Sequence, residues 1–323
     1  MTAFRFSRRA PRCAAALLTI LAGCHAIDQR NPWGERTRDE NRVFRVDGRD
    51  DRKIVYRDRG NPNGPLTLLF LHGMGSSKVA WKDVTPALEA DYRCITLDLL
   101  GHGDSDKPTE NISYAMGTQA DIVRKFIAEL RLNNVVLVGH SYGGGSALLA
   151  ALPEFVGGAE PASGAPRPPM VRGLVLISAT ALYFDKPNLL ALAQGSSCSV
   201  FEALLCKDCA TRIVVESSYY NKRRATEEFV AEYARVFADP RAVWVYARIS
   251  DSDLWPELRA RRARETDYRA VRVPVLVLWG QQDRVVPVDV MRRLCDLLPD
   301  CRGVLIPDCG HSPPQEQPAA VAH

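Results

Sequence analysis

The chain alternates between short, unbroken apolar runs and longer stretches of helical spacing, with glycine-rich or polar turns between them. Residues 66–71 and 135–138 read as such runs, the pattern of strands in a parallel sheet covered on both faces, and residues 92–97, 171–178, 273–279 and 304–307 read as further strands. Within 118–132, Ile122, Val123, Phe126, Ile127 and Leu130 recur at the spacing of a helix lying on a sheet, and further helices are predicted over about 78–88 and 288–298. Residues 42–57 alternate apolar and charged positions around Asp47-Gly48, which predicts an antiparallel hairpin at one sheet edge. From 182 to 270 the sheet pattern stops and helical spacing takes over, as in 226–237 with Phe229, Val230, Tyr233, Val236 and Phe237. The predicted fold class is therefore α/β: a mostly parallel central sheet with helices on both faces, and a mainly helical cap inserted late in the sheet. Its core occupies 42–181 and 271–323 and its cap 182–270, while 153–169, dense in Gly, Pro and Ala, is expected to be a long surface loop.

The run at 135–138 leads into Gly139-His140-Ser141-Tyr142-Gly143, a match to G-x-S-x-G with a strand before it and a helix predicted after it. In that setting a serine sits at a strained strand-to-helix corner with its hydroxyl above the sheet, and small flanking residues let strand and helix pass closely. Ser141 is the candidate nucleophile. The run at 66–71 ends in His72-Gly73-Met74-Gly75, and acyl transfer needs two backbone N–H groups aimed at the developing oxyanion. Those are assigned to Met74 and to Tyr142, the residue after the nucleophile. Downstream, Asp283 follows the strand at 273–279 by one short turn, and His311 lies beyond the last strand, giving the order Ser, Asp, His. Asp308 competes as the acid, but it shares a loop with His311.

The succession of His72-Gly73-Met74-Gly75, Asp98-Leu99-Leu100-Gly101-His102-Gly103-Asp104-Ser105 and Gly139-His140-Ser141-Tyr142-Gly143 resembles the α/β-hydrolase fold superfamily over about residues 42–318. The resemblance implies a serine hydrolase with Asp283 as the acid. It gives Asp98 and His102 a bracing role, and makes His140 structural or pocket-lining. A serine at the elbow sets the chain apart from the epoxide hydrolases and haloalkane dehalogenases of this fold, which use aspartate. What is implied is hydrolysis of a carboxylic ester of a small or medium acyl substrate, with carbon-carbon, thioester or amide cleavage on the same triad as the alternative, and a lipid-anchored non-catalytic binding protein as a second. No spacing implies a metal or an organic cofactor. Resembling chains continue after the histidine with an acidic residue, a proline and a full helix; here Glu316 and Pro318 are followed by a short stretch to His323, and apolar sheet surface is expected to be left uncovered.

Composition bounds the partners. Of 323 residues 46% are hydrophobic, ample for a large core, and the net charge of +4 equals the four arginines Arg5, Arg8, Arg9 and Arg12 of an N-terminal stretch without acids. Nothing in the remainder suggests nucleic-acid binding. The arginines Arg259, Arg261, Arg262 and Arg264 are interspersed with Glu257 and Glu265, as on a solvated helical face. The apolar stretch 13–20 is too short to span a membrane and suits a signal peptide, and Leu21-Ala22-Gly23-Cys24 resembles a bacterial lipoprotein signal. That resemblance implies removal of 1–23, lipidation of Cys24, a polar tether over 24–41 and anchoring to the cell envelope, with the outer membrane facing the periplasm favoured over simple secretion. Of nine cysteines, Cys198, Cys206 and Cys209 cluster and Cys295 and Cys301 flank a helix end, so two disulfides are expected in an oxidising compartment, with their connectivity open. Cys206 and Cys209 form C-x-x-C without a second pair or a nearby histidine to complete a zinc site.

Overall fold

A computed structural model describes residues 41–110, 112–152, 171–185 and 207–323. The leader, Cys24, the tether up to residue 40, the loop at 153–169, and Cys198 and Cys206 lie outside the described residues.

Among the described residues eight strands form one sheet: β1 (Arg42–Arg45), β2 (Lys53–Gly60), β3 (Thr67–Leu71), β4 (Arg93–Leu97), β5 (Val135–His140), β6 (Val171–Ile177), β7 (Val275–Gly280) and β8 (Cys301–Ile306). Their spatial order is β1-β2-β4-β3-β5-β6-β7-β8, with β1 and β2 antiparallel to their neighbours and all later pairs parallel. The two-residue period of the strands divides the core in two. Leu69, Leu71, Ile95, Leu97, Val135 and Leu137 point to one face, where Ile122, Val123 and Phe126 of α1 (Met116–Glu129) pack. Leu68, Phe70, Cys94 and Val138 point to the other, against Ala80, Trp81 and Val84. Because β5 lies inside the sheet, whatever leaves its carboxyl end is held from both sides.

Three elements differ from the sequence pattern. The hairpin is wider than Asp47-Gly48 alone, its strands being joined through residues 46–52, with Asp47 at φ 53°. The helix expected over 78–88 is two 3-10 turns, Lys78–Trp81 and Thr85–Ala87. Ser77 caps the first, while Pro86 supplies no N–H to continue an α-helical ladder. The last strand starts at Cys301, before the apolar residues that signal it, because at the sheet edge Arg302 and Gly303 are exposed and carry no apolar period.

Between β6 and β7 the described chain is helical, with α3 (Lys207–Ser217), α4 (Glu227–Phe237), α5 (Pro240–Arg248), a π-helical turn at Ile249–Leu254, and α6 (Trp255–Arg261). Thr226 caps α4 and Asp239 caps α5, each side chain accepting a first-turn N–H. On the cap's basic stretch Arg261 pairs with Glu257 and Arg264 with Asp267. Helix α7 (Val288–Leu297) returns the chain to β8, and the Cys295–Cys301 disulfide ties them together. Two short helices, Pro313–Glu316 and Pro318–Ala322, end the chain; Val321 and Ala322 pack against the second core face, while Leu305 on β8 is exposed.

Candidate active site

Strand β5 delivers Ser141 to a corner where its backbone takes φ 52° and ψ −119°, before α2 (Tyr142–Ala150) begins. Such a conformation is costly for a residue with a side chain and persists only where neighbours enforce it. Here they do. Ser141 N–H donates to Ile177 O on the adjacent strand (2.9 Å), and Ser141 O accepts from Gly144, Gly145 and Thr180. A Cβ on Gly139 would lie 2.5 Å from Gly143 O, and one on Gly143 would overlap the carbonyl oxygens of Leu71 and His72. The glycines of the motif are thus required by the crossing of α2 over β5 and β3.

The three residues ordered by the sequence meet in space. His311 Nε2 is 2.9 Å from Ser141 Oγ, and His311 Nδ1 is 2.9 Å from Asp283 Oδ2. A carboxylate only accepts, so Nδ1 carries the proton and Nε2 presents its lone pair to the serine hydroxyl. The other Asp283 oxygen accepts from Val285 N–H and Val286 N–H, both at 2.9 Å, which fixes the carboxylate against the turn. Asp308 is exposed, at φ 51°, and has no part in this arrangement.

Met74 and Tyr142 line the same cavity as Ser141 and His311, a space of about 240 Å³. Its remaining wall comes from the cap and the sheet ends and includes Phe184, Val214, Val215, Leu254, Trp255 and Val286. His140, Ser217, Ser218, Tyr233, Ser250 and Ser312 are its other polar residues, with Thr180 Oγ1 at 3.4 Å from Ser141 Oγ. Among the described residues no Lys, Arg, Asp or Glu lines it.

The other histidines brace rather than reach the serine. His72 accepts Leu99 N–H at Nε2 (3.0 Å) and donates from Nδ1 to Gly73 O (2.8 Å), joining the two glycine-rich loops. His140 Nε2 donates to His311 O at 2.6 Å. Burial, and then the neighbouring His311, push the His140 pKa down to about 3, so it is neutral at physiological pH. Asp98 lies in a buried ion cluster, accepting from Lys78 Nζ (2.6 Å), Lys78 N–H (2.6 Å) and Asp104 N–H (2.9 Å). Burial alone would lower the Lys78 pKa, but Asp98 and Asp104 outweigh it and raise the value. Thr180 carries no motif, and Glu316, although it stands where resembling chains place an acidic residue after the histidine, shows its contacts only once the loops are assembled. Among the described residues no group of three or more His, Cys, Asp or Glu could hold a metal ion.

The sequence profile of the alpha/beta hydrolase family matches residues 68–323. The chain is 28% identical over 287 residues to the uncharacterized hydrolase YugF of Bacillus subtilis (strain 168), covering 87% of this chain and 94% of that protein. It is 27% identical to 2-hydroxy-6-oxo-2,4-heptadienoate hydrolase of Pseudomonas putida, over 78% of this chain and 83% of that one. Among solved structures, a membrane phospholipase A, a bacterial virulence factor, superposes with a TM-score of 0.64 at 26% identity, over 96% of this chain and 89% of the other.

Proposed function

The chain belongs to the alpha/beta hydrolase family, and from that premise we propose that it hydrolyses an uncharged carboxylic ester through an acyl-enzyme on Ser141. His311 removes the Ser141 proton as Oγ attacks the carbonyl carbon, and Asp283 holds the tautomer and stabilises the imidazolium. The N–H groups of Met74 and Tyr142 receive the oxyanion. On collapse of the tetrahedral intermediate the C–O bond breaks and His311 returns its proton to the leaving alkoxide. Water, deprotonated by the same histidine, then attacks the acyl carbon and frees the acid and Ser141.

The observation that carries the ester reading is that the described residues around Ser141 form an uncharged wall. A substrate carboxylate taken from water into such a wall needs a paired cation or several hydrogen bonds. The substrate of the Pseudomonas putida relative is by name a carboxylate, and no described Lys or Arg faces the cavity to receive one. A neutral acyl chain has no such requirement. Carbon-carbon hydrolysis on the same triad is the second reading, favoured by that relative. A p-nitrophenyl ester series of increasing acyl length, run beside Ser141→Ala, decides: ester turnover that vanishes in the variant supports the first reading, and a folded parent inert to every ester removes it.

We further propose that the protein is exported and held to the envelope through lipid on Cys24. Support comes from the Leu21-Ala22-Gly23-Cys24 sequence and from the Cys295–Cys301 disulfide, which suits an oxidising compartment. The membrane phospholipase A among the similar structures is in keeping with a membrane-proximal ester substrate. Incorporation of labelled palmitate that is abolished in Cys24→Ser is the expected result; equal labelling of both removes the proposal.

A further inference from the structure

The loop that carries the base meets the cap main chain to main chain. His311 N–H donates to Ser218 O at 2.7 Å. A Cβ on Gly310 would lie 2.5 Å from Tyr220 N and 2.7 Å from Ser218 O, so the two segments approach more closely than a side chain would permit. Glu316 is inserted at this junction, only 3% exposed. Its Oε1 accepts Gly310 N–H at 2.8 Å, and its Oε2 accepts Tyr220 N–H at 2.9 Å and Asn221 N–H at 3.3 Å. Glu316 N–H donates in turn to Ser312 O (2.8 Å), and Arg224 of the cap donates to Glu316 O (2.8 Å).

Two sets of N–H groups converging from different segments require an acceptor with two oxygens. A carboxylate meets that need; a glutamine would turn an NH₂ toward one of the sets. A buried carboxylate is tolerated because these donors compensate its lost hydration, and burial still raises its pKa against their opposing pull. Ser218 itself lines the active-site cavity, so the junction sits at the wall of the site.

We propose that Glu316 is a positioning residue that sets His311 by locking Gly310 to the cap segment 218–221, so that the base is in register with Ser141 and Asp283 only while the cap is docked. The proposal rests on the reading of Ser141, His311 and Asp283 as a hydrolytic triad. Glu316 touches neither the serine nor the imidazole; it acts through the backbone on either side of the base. Displacing a catalytic group by about 1 Å costs about 10²-fold in rate, and this junction fixes where that group stands.

The test compares the full chain with Glu316→Ala and Glu316→Gln by two readouts. The first is the His311 Nδ1 proton resonance in protein labelled with ¹⁵N-histidine, identified by its loss in Asp283→Asn. The second is kcat and KM over the p-nitrophenyl ester series. In Glu316→Ala the resonance is expected to broaden or vanish, with kcat lower by about 10²-fold at every acyl length and KM changed by less than about 3-fold. Glu316→Gln, which retains one acceptor oxygen, should fall between the parent and Glu316→Ala, and it carries the test if the alanine variant does not fold. An unchanged resonance and kcat would overturn the proposal, as would a loss that grows with acyl length while the resonance stays intact, since that marks a residue shaping the pocket. A parent that shows the resonance but cleaves no ester fails the ester reading alone, and the resonance in the two variants still decides the role of Glu316.

Discussion

At the scale of single residues, the site couples a strained serine to a histidine whose two nitrogens have different partners. Asp283→Asn keeps the shape but offers an NH₂ toward Nδ1 and favours the wrong tautomer, so kcat for ester hydrolysis should drop by about 10⁴-fold with KM little changed, read from steady-state kinetics. Three buried histidines set a pH limit of a different kind. Burial lowers the pKa of His72, takes that of His102 well below its ordinary value, and brings that of His140 to about 3. Below about pH 6.5 the unfolded chain binds protons at these positions that the folded chain does not, so stability falls as pH falls. The slope is at most about 1.4 kcal/mol per pH unit for each histidine. Urea midpoints measured from pH 7 to 5 should decline accordingly, and His140→Gln, whose amide can still donate to His311 O, should flatten the decline. The meeting of Ser141, Asp283 and His311 was legible in the sequence because each follows a strand end. Thr180 was not legible, and Glu316 was legible only as the acidic residue that follows the histidine in resembling chains: their contacts depend on which loop backbones meet.

At the scale of elements, the sheet was readable because burial on two faces writes continuous apolar runs, as in 66–71 and 135–138. Legibility failed at 78–88, where Pro86 has no N–H to continue the ladder and its ring crowds the carbonyl one turn back, so a stretch with helical composition becomes two 3-10 turns. The cap helices depend on their own ends. Thr226 Oγ1 accepts Phe229 N–H at the start of α4, and Thr226→Ala should lower stability by about 1 kcal/mol in denaturant titrations. In contrast, Gly143→Ala forces α2 away from β3 and should cost about 3 kcal/mol by the same measurement, together with most of the activity.

At the scale of the whole molecule, the cap is fastened to the core by carboxylates at several separate points. Glu257 of α6 accepts the Met116 and Gly117 N–H groups at the start of α1, and Asp253 accepts Tyr114 N–H. Glu232 and Arg235 of α4 reach Ser77 and Asp104, joining the cap to the cluster of Lys78 and Asp98 beside the Met74 turn. Lys78 stands between two acids with its side chain 1% exposed. Lys78→Met leaves those acids facing each other and should cost about 3–5 kcal/mol, measured by urea unfolding. Glu316 fastens the remaining corner, where base and cap share main-chain hydrogen bonds. That junction bears on recombination between relatives. Because Tyr220 is held by its amide and its side chain is exposed, that side chain is free to drift over generations while the path of the chain is not, and residue-by-residue comparison will underrate the position; Asn221 is held by its amide and also by its Oδ1, which accepts Arg223 N–H at the next turn. A chimaera that exchanges caps should therefore keep 218–221 with the recipient's Glu316 and place its crossover after Asn221; a graft that cuts before Ser218 imports a foreign backbone against the base and is expected to fold yet turn over slowly.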